Sequence, residues 1–200
     1  LDYKYLENGN DIESLIHLFE EVKDIDHPIV LHIHTEKGRG YQPALENKEA
    51  FHWHMPFDLE TGQSKVIDSG KSYSSVMLDY MDKKVSEGLP LVAINAAIPG
   101  IFGLKQFAAK YPDRYIDAGI AEQFTITFGG AMAAAGARPI IFHNSTFVQR
   151  AYDQFWHDLA INEEPAIVIV KGGVISGSDE THQGSSAMTW ISNIPNIKYL

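Results

Sequence analysis

The chain has 200 residues, 44% hydrophobic and 21% charged, which is enough apolar mass for a core and too little charge for a disordered polymer. Its formal net charge of −10, from 26 acidic and 16 basic residues, opposes a phosphate backbone, so nucleic acid is not an expected partner. Cysteine is absent, which excludes disulfides, thiolate metal sites and a thiol nucleophile together.

This length suits one domain, or one domain with a piece of another. No apolar run approaches the roughly 18 residues of a membrane span. The opening Leu1-Asp2-Tyr3-Lys4 has no signal-peptide pattern and no initiator Met, which points to a clipped chain and a cytoplasmic setting.

Asn10 with Glu13 three residues later reads as a capping box. Ile12, Leu15, Ile16, Phe19 and Val22 follow at helical spacing. Residues 28–35 read as a strand, and Lys37-Gly38-Arg39-Gly40 turns the chain. Residues 1–41 are therefore expected to be a helix and strand, the tail of an α/β domain. Residues 42–70 carry Pro43, Pro56, Gly62 and Gly70 without a sustained period, the composition of a linker.

Residues 71–200 are more regular. Val76, Met77, Tyr80, Met81 and Val85 predict one helix face. Strands are predicted at 89–95, 115–118, 138–143 and 166–170, and helices at 104–111, 121–135 and 147–162. Alternating strands and helices predict a parallel sheet with helices on both faces. Ligands in such folds lie beyond the carboxyl ends of the strands. The residues to watch are thus 96–99, 119–123, 144–147 and 171–184.

Three groups in those stretches could carry chemistry. Glu122 opens a helix, where a carboxylate is ordinarily favoured by the macrodipole. Its small and apolar flanks, Gly119-Ile120-Ala121 and Phe124, nevertheless suit a desolvated carboxyl at a strand's carboxyl end. Ser145 or Thr146 could cap the next helix, with Phe147 offering an aromatic face beside Arg150; a capped amphipathic helix explains the same letters. His182, in Thr181-His182-Gln183-Gly184, sits in a Gly- and Ser-rich loop, either as a proton carrier or as an ordinary surface side chain.

Two histidine pairs, His32 with His34 and His52 with His54, lack the third ligand a zinc site needs, so no metal is expected on this chain's own side chains. Gly129, Gly130, Ala131, Ala133, Ala134, Ala135 and Gly136 give one helix a small-residue surface. That surface fits a dimer contact or close packing on its own sheet.

The strand-end residues resemble a known family. Asp117-Ala118-Gly119-Ile120-Ala121-Glu122-Gln123 is similar to the Asp-x-x-Ile-Ala-Glu-Gln signature of 1-deoxy-D-xylulose-5-phosphate synthases, within the transketolase superfamily. Ser145-Thr146-Phe147-Val148-Gln149-Arg150-Ala151-Tyr152-Asp153-Gln154, His157-Asp158 and Thr181-His182-Gln183-Gly184 resemble its next motifs in order. His34-Thr35-Glu36-Lys37-Gly38-Arg39-Gly40-Tyr41 resembles the end of its first domain.

The resemblance implies that residues 1–41 are the tail of a diphosphate-binding domain, 42–70 a linker, and 71–200 a pyrimidine-binding domain incomplete at its C-terminus. It implies thiamine diphosphate as cofactor, with magnesium ligands in a preceding part of the protein, and a homodimer. The implied reaction transfers a two-carbon unit from pyruvate, with decarboxylation, to glyceraldehyde 3-phosphate. Glu122 would bond a ring nitrogen of the aminopyrimidine, Phe147 would stack on it, and Arg150 and Ile98 would complete the cofactor contacts. His182 would move protons on the substrate side.

The departures gather on the acceptor side. Asn10, Phe124 and Asn144 stand where the family has His, His and Tyr, and Lys171 replaces an Arg. Lysine keeps the charge but loses bidentate geometry. Ser178, with Asp179 beside it, replaces an acid. Lys171, Ser178, Asp179 and Asn144 are the expected substrate contacts. The alternatives are a transketolase-like paralogue with another sugar or keto acid, and a non-catalytic half that pairs with a second subunit.

Overall fold

Strand β1 (Asp2–Leu6) pairs in parallel with β2 (Ile29–Ile33), with Asp2 opposite Ile29 and Leu6 opposite Ile33, and helix α1 (Ile12–Val22) connects them. The computed structural model describes residues 1–52, 55–66, 70–172, 181–182 and 184–200. The chain divides into two units, Leu1–Ser69 and Gly70–Leu200.

The first unit corrects the expected helix-then-strand order, because a strand precedes the helix. The sequence Asp-Tyr-Lys-Tyr-Leu hides it, since polar and aromatic residues alternate with no aliphatic run. Asp11, not Asn10, caps α1; its Oδ2 accepts from the Ser14 amide at 2.8 Å. Asn10 is taken elsewhere, accepting from the Glu36 amide at 2.6 Å. Residues of linker composition carry ordered structure here. Helix α2 (Gln42–Glu46) is followed by an aromatic cluster in which Phe51 lies 5.5 Å from Tyr41 and 5.3 Å from Phe57, centroid to centroid.

The second unit begins with α3 (Tyr73–Ser86), capped reciprocally by Ser72 and Ser75. Four parallel strands follow: β3 (Leu91–Asn95), β4 (Tyr115–Asp117), β5 (Arg138–Asn144) and β6 (Ile167–Lys171), in spatial order β4-β3-β5-β6. Between β3 and β4 lie α4 (Pro99–Phe102) and α5 (Leu104–Lys110); α6 (Glu122–Ala134) links β4 to β5, and α9 (Ala187–Ser192) follows β6. One apolar cluster joins Leu91, Ala93, Ile140 and Phe142 of the sheet to Met81, Phe102 and Phe107. The other joins Val92, Ile94 and Ile141 to Ile126, Val148 and Phe155. Alternate residues of each strand thus point to opposite clusters, as a sheet covered on both faces requires.

Two helices differ from expectation. In α3 the buried row is Met81 and Val85, with Met77 and Leu78 packed beside it, whereas Val76 and Tyr80 are exposed. Lys84 lies over the Tyr80 ring instead. The single helix expected over 147–162 is broken into α7 (Ser145–Val148), a 3₁₀ turn (Gln149–Ala151), α8 (Tyr152–Gln154) and a π turn (Phe155–Ala160). The π turn lies where the Asp158 carbonyl crosses Gly130 of α6; a Cβ on Gly130 would stand 2.7 Å from that oxygen. Gly129 meets Ile141 in the same way. Gly129 and Gly130 of the small-residue surface therefore serve close packing on the sheet and on the next helix, while Ala131, Ala134 and Ala135 are exposed. Among the described residues, no helix is long and apolar enough to cross a membrane.

Candidate active site

The chain leaves β3 for β4 on one side of the sheet, then returns to β5 on the other. The carboxyl ends of β3 and β5 therefore flank a topological switch point, where α/β sheets open a crevice. The segments after β3, β4 and β5 border it.

Asp117 ties two of those segments together. Its Oδ2 accepts from the Asn95 side-chain amide at 3.1 Å, and its Oδ1 accepts from the backbone amides of Ala97 and Gly119 at 2.9 Å each. Ala97 is held at φ 58°, a left-handed conformation that costs a non-glycine residue on the order of 1 kcal/mol, and the Asp117 bond offsets it. Gly119 takes φ 70° at the matching bend. Asp117 thus sets the course of both the Ile98 segment and the Glu122 segment. It stood in the sequence motif without a role, because only the fold brings the three amides to it.

Glu122 occupies the first turn of α6 and is 2% exposed. The N-cap residue, Ala121, offers no side-chain acceptor, so the helix dipole acts on Glu122 without a competing cap. The Arg150 guanidinium donates from Nη1 to Glu122 Oε2 at 3.3 Å. A buried carboxylate needs such a partner. Phe147, in α7, is half-buried, and its ring meets the His182 imidazole edge-on at 5.2 Å. Thr181 Oγ1 lies 2.7 Å from His182 Nδ1. Gly184 holds that segment down: at φ 51° it seats so closely that a Cβ would stand 2.0 Å from Ser145 Oγ.

Ile98 is the N-cap residue of α4 and packs against the cluster around Phe102 and Phe142. Two expected substrate contacts have internal partners. Lys171 Nζ donates to the Ile101 carbonyl and lies 5.8 Å from the Phe102 ring centroid. Asn144 caps α7, with Oδ1 accepting from the Thr146 amide at 2.8 Å, a place the sequence offered to Ser145 or Thr146. Ser178 and Asp179 lie outside the described residues, as does His54. In the first unit, His32 Nδ1 meets the Tyr3 hydroxyl at 2.8 Å and His34 Nδ1 meets Glu7 at 3.2 Å.

Sequence reasoning missed one further pair. His143 is fully buried, and its Nε2 lies 2.7 Å from Thr125 Oγ1. Thr125 Oγ1 is also 2.7 Å from the Glu122 carbonyl. Burial lowers the imidazole from its usual range to about 4, which keeps it neutral near pH 7. The letters hint at the pair only through the two-residue alternation that puts His143 on the same strand face as Ile141.

A covered parallel sheet with a buried carboxylate beyond its carboxyl edge places the chain among the α/β proteins, a class whose ligands lie at the switch point. Over residues 69–200 the chain matches the description "Transketolase, pyrimidine binding domain", and it belongs to that family. Across both units it is similar to curated 1-deoxy-D-xylulose-5-phosphate synthases. Identity is 38% over 192 residues with that of Natranaerobius thermophilus, covering 95% of this chain and 30% of the relative. It is 41% over 195 residues with 1-deoxy-D-xylulose-5-phosphate synthase 1 of Geobacter metallireducens, covering 95% and 31%. The chain thus spans about 30% of the length of the relatives it matches. Among solved structures, "Split gene transketolase, inactive beta4 tetramer" superposes with a TM-score of 0.50 at 16% identity, covering 62% of this chain and 39% of that one, a likeness of fold.

Proposed function

We propose that the chain forms the pyrimidine side of a thiamine-diphosphate site in a cytoplasmic transferase of the 1-deoxy-D-xylulose-5-phosphate synthase type. The observation that carries this reading is the buried Glu122 carboxylate, paired with Arg150, beyond the carboxyl end of β4. An aminopyrimidine fits these residues chemically, because its ring nitrogen needs a hydrogen-bonding acid and its flat face needs an aromatic ring.

Arg150 holds Glu122 Oε2, and the Glu122 carboxyl would hold the ring nitrogen of the bound aminopyrimidine. Glu122, itself buried, would share a proton with that nitrogen. Phe147 would offer its aromatic face to the ring, and Ile98 would close the apolar wall. His182, its Nδ1 engaged by Thr181 Oγ1, holds or takes a proton at Nε2 on the substrate side. When bound, the cofactor supplies the electron sink that decarboxylation of pyruvate needs. Magnesium accompanies the diphosphate, and no residue of this chain is assigned to it. A homodimer forms through the exposed apolar edge of Ile120 and Phe124.

The committed side chains of Lys171 and Asn144 support a second reading, a transketolase-like paralogue with another acceptor. Product analysis of the complete protein with pyruvate, glyceraldehyde 3-phosphate, thiamine diphosphate and magnesium separates the two. The first reading expects 1-deoxy-D-xylulose 5-phosphate and carbon dioxide. Turnover with pyruvate but only another acceptor supports the second, and no turnover by a cofactor-loaded sample overturns both. Glu122→Gln should lower turnover by roughly a hundredfold or more.

A further inference from the structure

We infer that His143 is a positioning residue: as a neutral Nε2–H donor to Thr125, it fastens the first turn of α6 to β5 and so fixes the Glu122 carboxyl relative to Phe147 and Arg150. The inference rests on the reading of Glu122 given above.

Proton counting leads to it. Thr125 has one hydroxyl proton and two neighbours at 2.7 Å, the Glu122 carbonyl and His143 Nε2. A carbonyl only accepts, so the hydroxyl proton goes to Glu122. Nε2 must then carry its own proton and donate to Thr125 Oγ1. That leaves Nδ1 bare, and Nδ1 is indeed buried without a hydrogen-bond partner among the described residues. The opposite tautomer would bury an unpaired N–H and leave the Glu122 carbonyl without the hydroxyl bond, a costlier arrangement.

The two ends of this chain of bonds matter. Thr125 lies one turn beyond Glu122 in α6, and the threonine-to-carbonyl bond is local to the helix. His143 is the penultimate residue of β5, two residues before α7 begins the run that carries Phe147 and Arg150. Glu122 and its partners therefore come from different elements, and the Thr125–His143 bond ties α6 to the strand that leads directly into the partners' segment. Both side chains are wholly buried, so water does not substitute for either.

The test uses the complete protein and the variants His143→Leu, His143→Gln, Thr125→Val, Thr125→Ser and Glu122→Gln. Gln can offer an amide N–H where Nε2 donates, and Ser keeps the hydroxyl. Nitrogen-15 NMR at neutral pH should show His143 protonated at Nε2 alone. The carbon-13 signal of the Glu122 carboxyl should move in His143→Leu and in Thr125→Val, and return in His143→Gln and Thr125→Ser. The Kd for thiamine diphosphate should rise about tenfold in the first two and about twofold or less in the second two.

A proton on Nδ1, or an unmoved carboxyl signal in His143→Leu and Thr125→Val, overturns the inference. Should His143→Leu not fold, the two threonine variants decide the matter alone. If the carboxyl signal behaves as expected but Glu122→Gln leaves Kd unchanged, the positioning role stands and the pyrimidine reading falls.

Discussion

His143 also has a consequence for stability. The folded protein keeps its ring neutral down to about pH 4, whereas the unfolded chain takes up that proton near pH 6.5. Proton uptake thus favours the unfolded chain as pH falls through this window. Above pH 6.5 both states are neutral and the group contributes nothing; below about 4 the loss levels off. The full loss is on the order of 3 kcal/mol. Denaturant unfolding at pH 7 and pH 4.5 should show it, and His143→Leu should flatten it. Asp82, held low by Lys110 and Tyr111, adds its own loss only as pH approaches the 3.8 of an ordinary aspartate and below. The position of Glu122 after a strand, among small residues, was legible in the sequence, but the same letters fit an ordinary first-turn carboxylate, and its burial shows only in the fold. The internal partners of Lys171 and Asn144 were not legible, since Lys171 bonds a carbonyl 70 residues away and one letter cannot report that.

The four-strand sheet of the second unit was readable chiefly through its central strands β3 and β5, which are buried on both faces and carry apolar runs. Strand β1 was not, because a half-exposed strand of Tyr and Lys resembles a loop. The π turn in the broken run after β5 lies at the close crossing of α6 at Gly130. Gly130→Ala tests that crossing. Its new methyl meets the Asp158 carbonyl, a backbone atom that cannot swing away, so a loss of about 1–3 kcal/mol in unfolding free energy is expected. Gly136→Ala, with nothing within 4 Å of the added carbon but a φ of 92°, isolates the backbone cost alone. If Gly130→Ala leaves stability unchanged, the crossing is looser than described.

At the scale of the whole molecule, the sequence read the change of composition near residue 70, and the chain divides there into two units. It did not show the cluster of Tyr41, Phe51 and Phe57 among residues of linker composition, because aromatic contacts between scattered positions have no period. Ile120 is 79% exposed and Phe124 53%, with Phe124 stacked on Phe128 at 5.2 Å. Apolar side chains this exposed beside a site invite a partner surface. Phe124→Glu should shift the complete protein toward monomer in sedimentation velocity, and an unchanged distribution would remove this edge from the interface.

The central claim is that Glu122 meets the cofactor's ring nitrogen, and calorimetric titration tests it directly. Thiamine diphosphate would be compared with an analogue in which that nitrogen is replaced by carbon, on the complete protein and on Glu122→Gln. The account predicts that the native protein binds the analogue at least about tenfold more weakly, while Glu122→Gln discriminates far less. Equal discrimination by both proteins would contradict it.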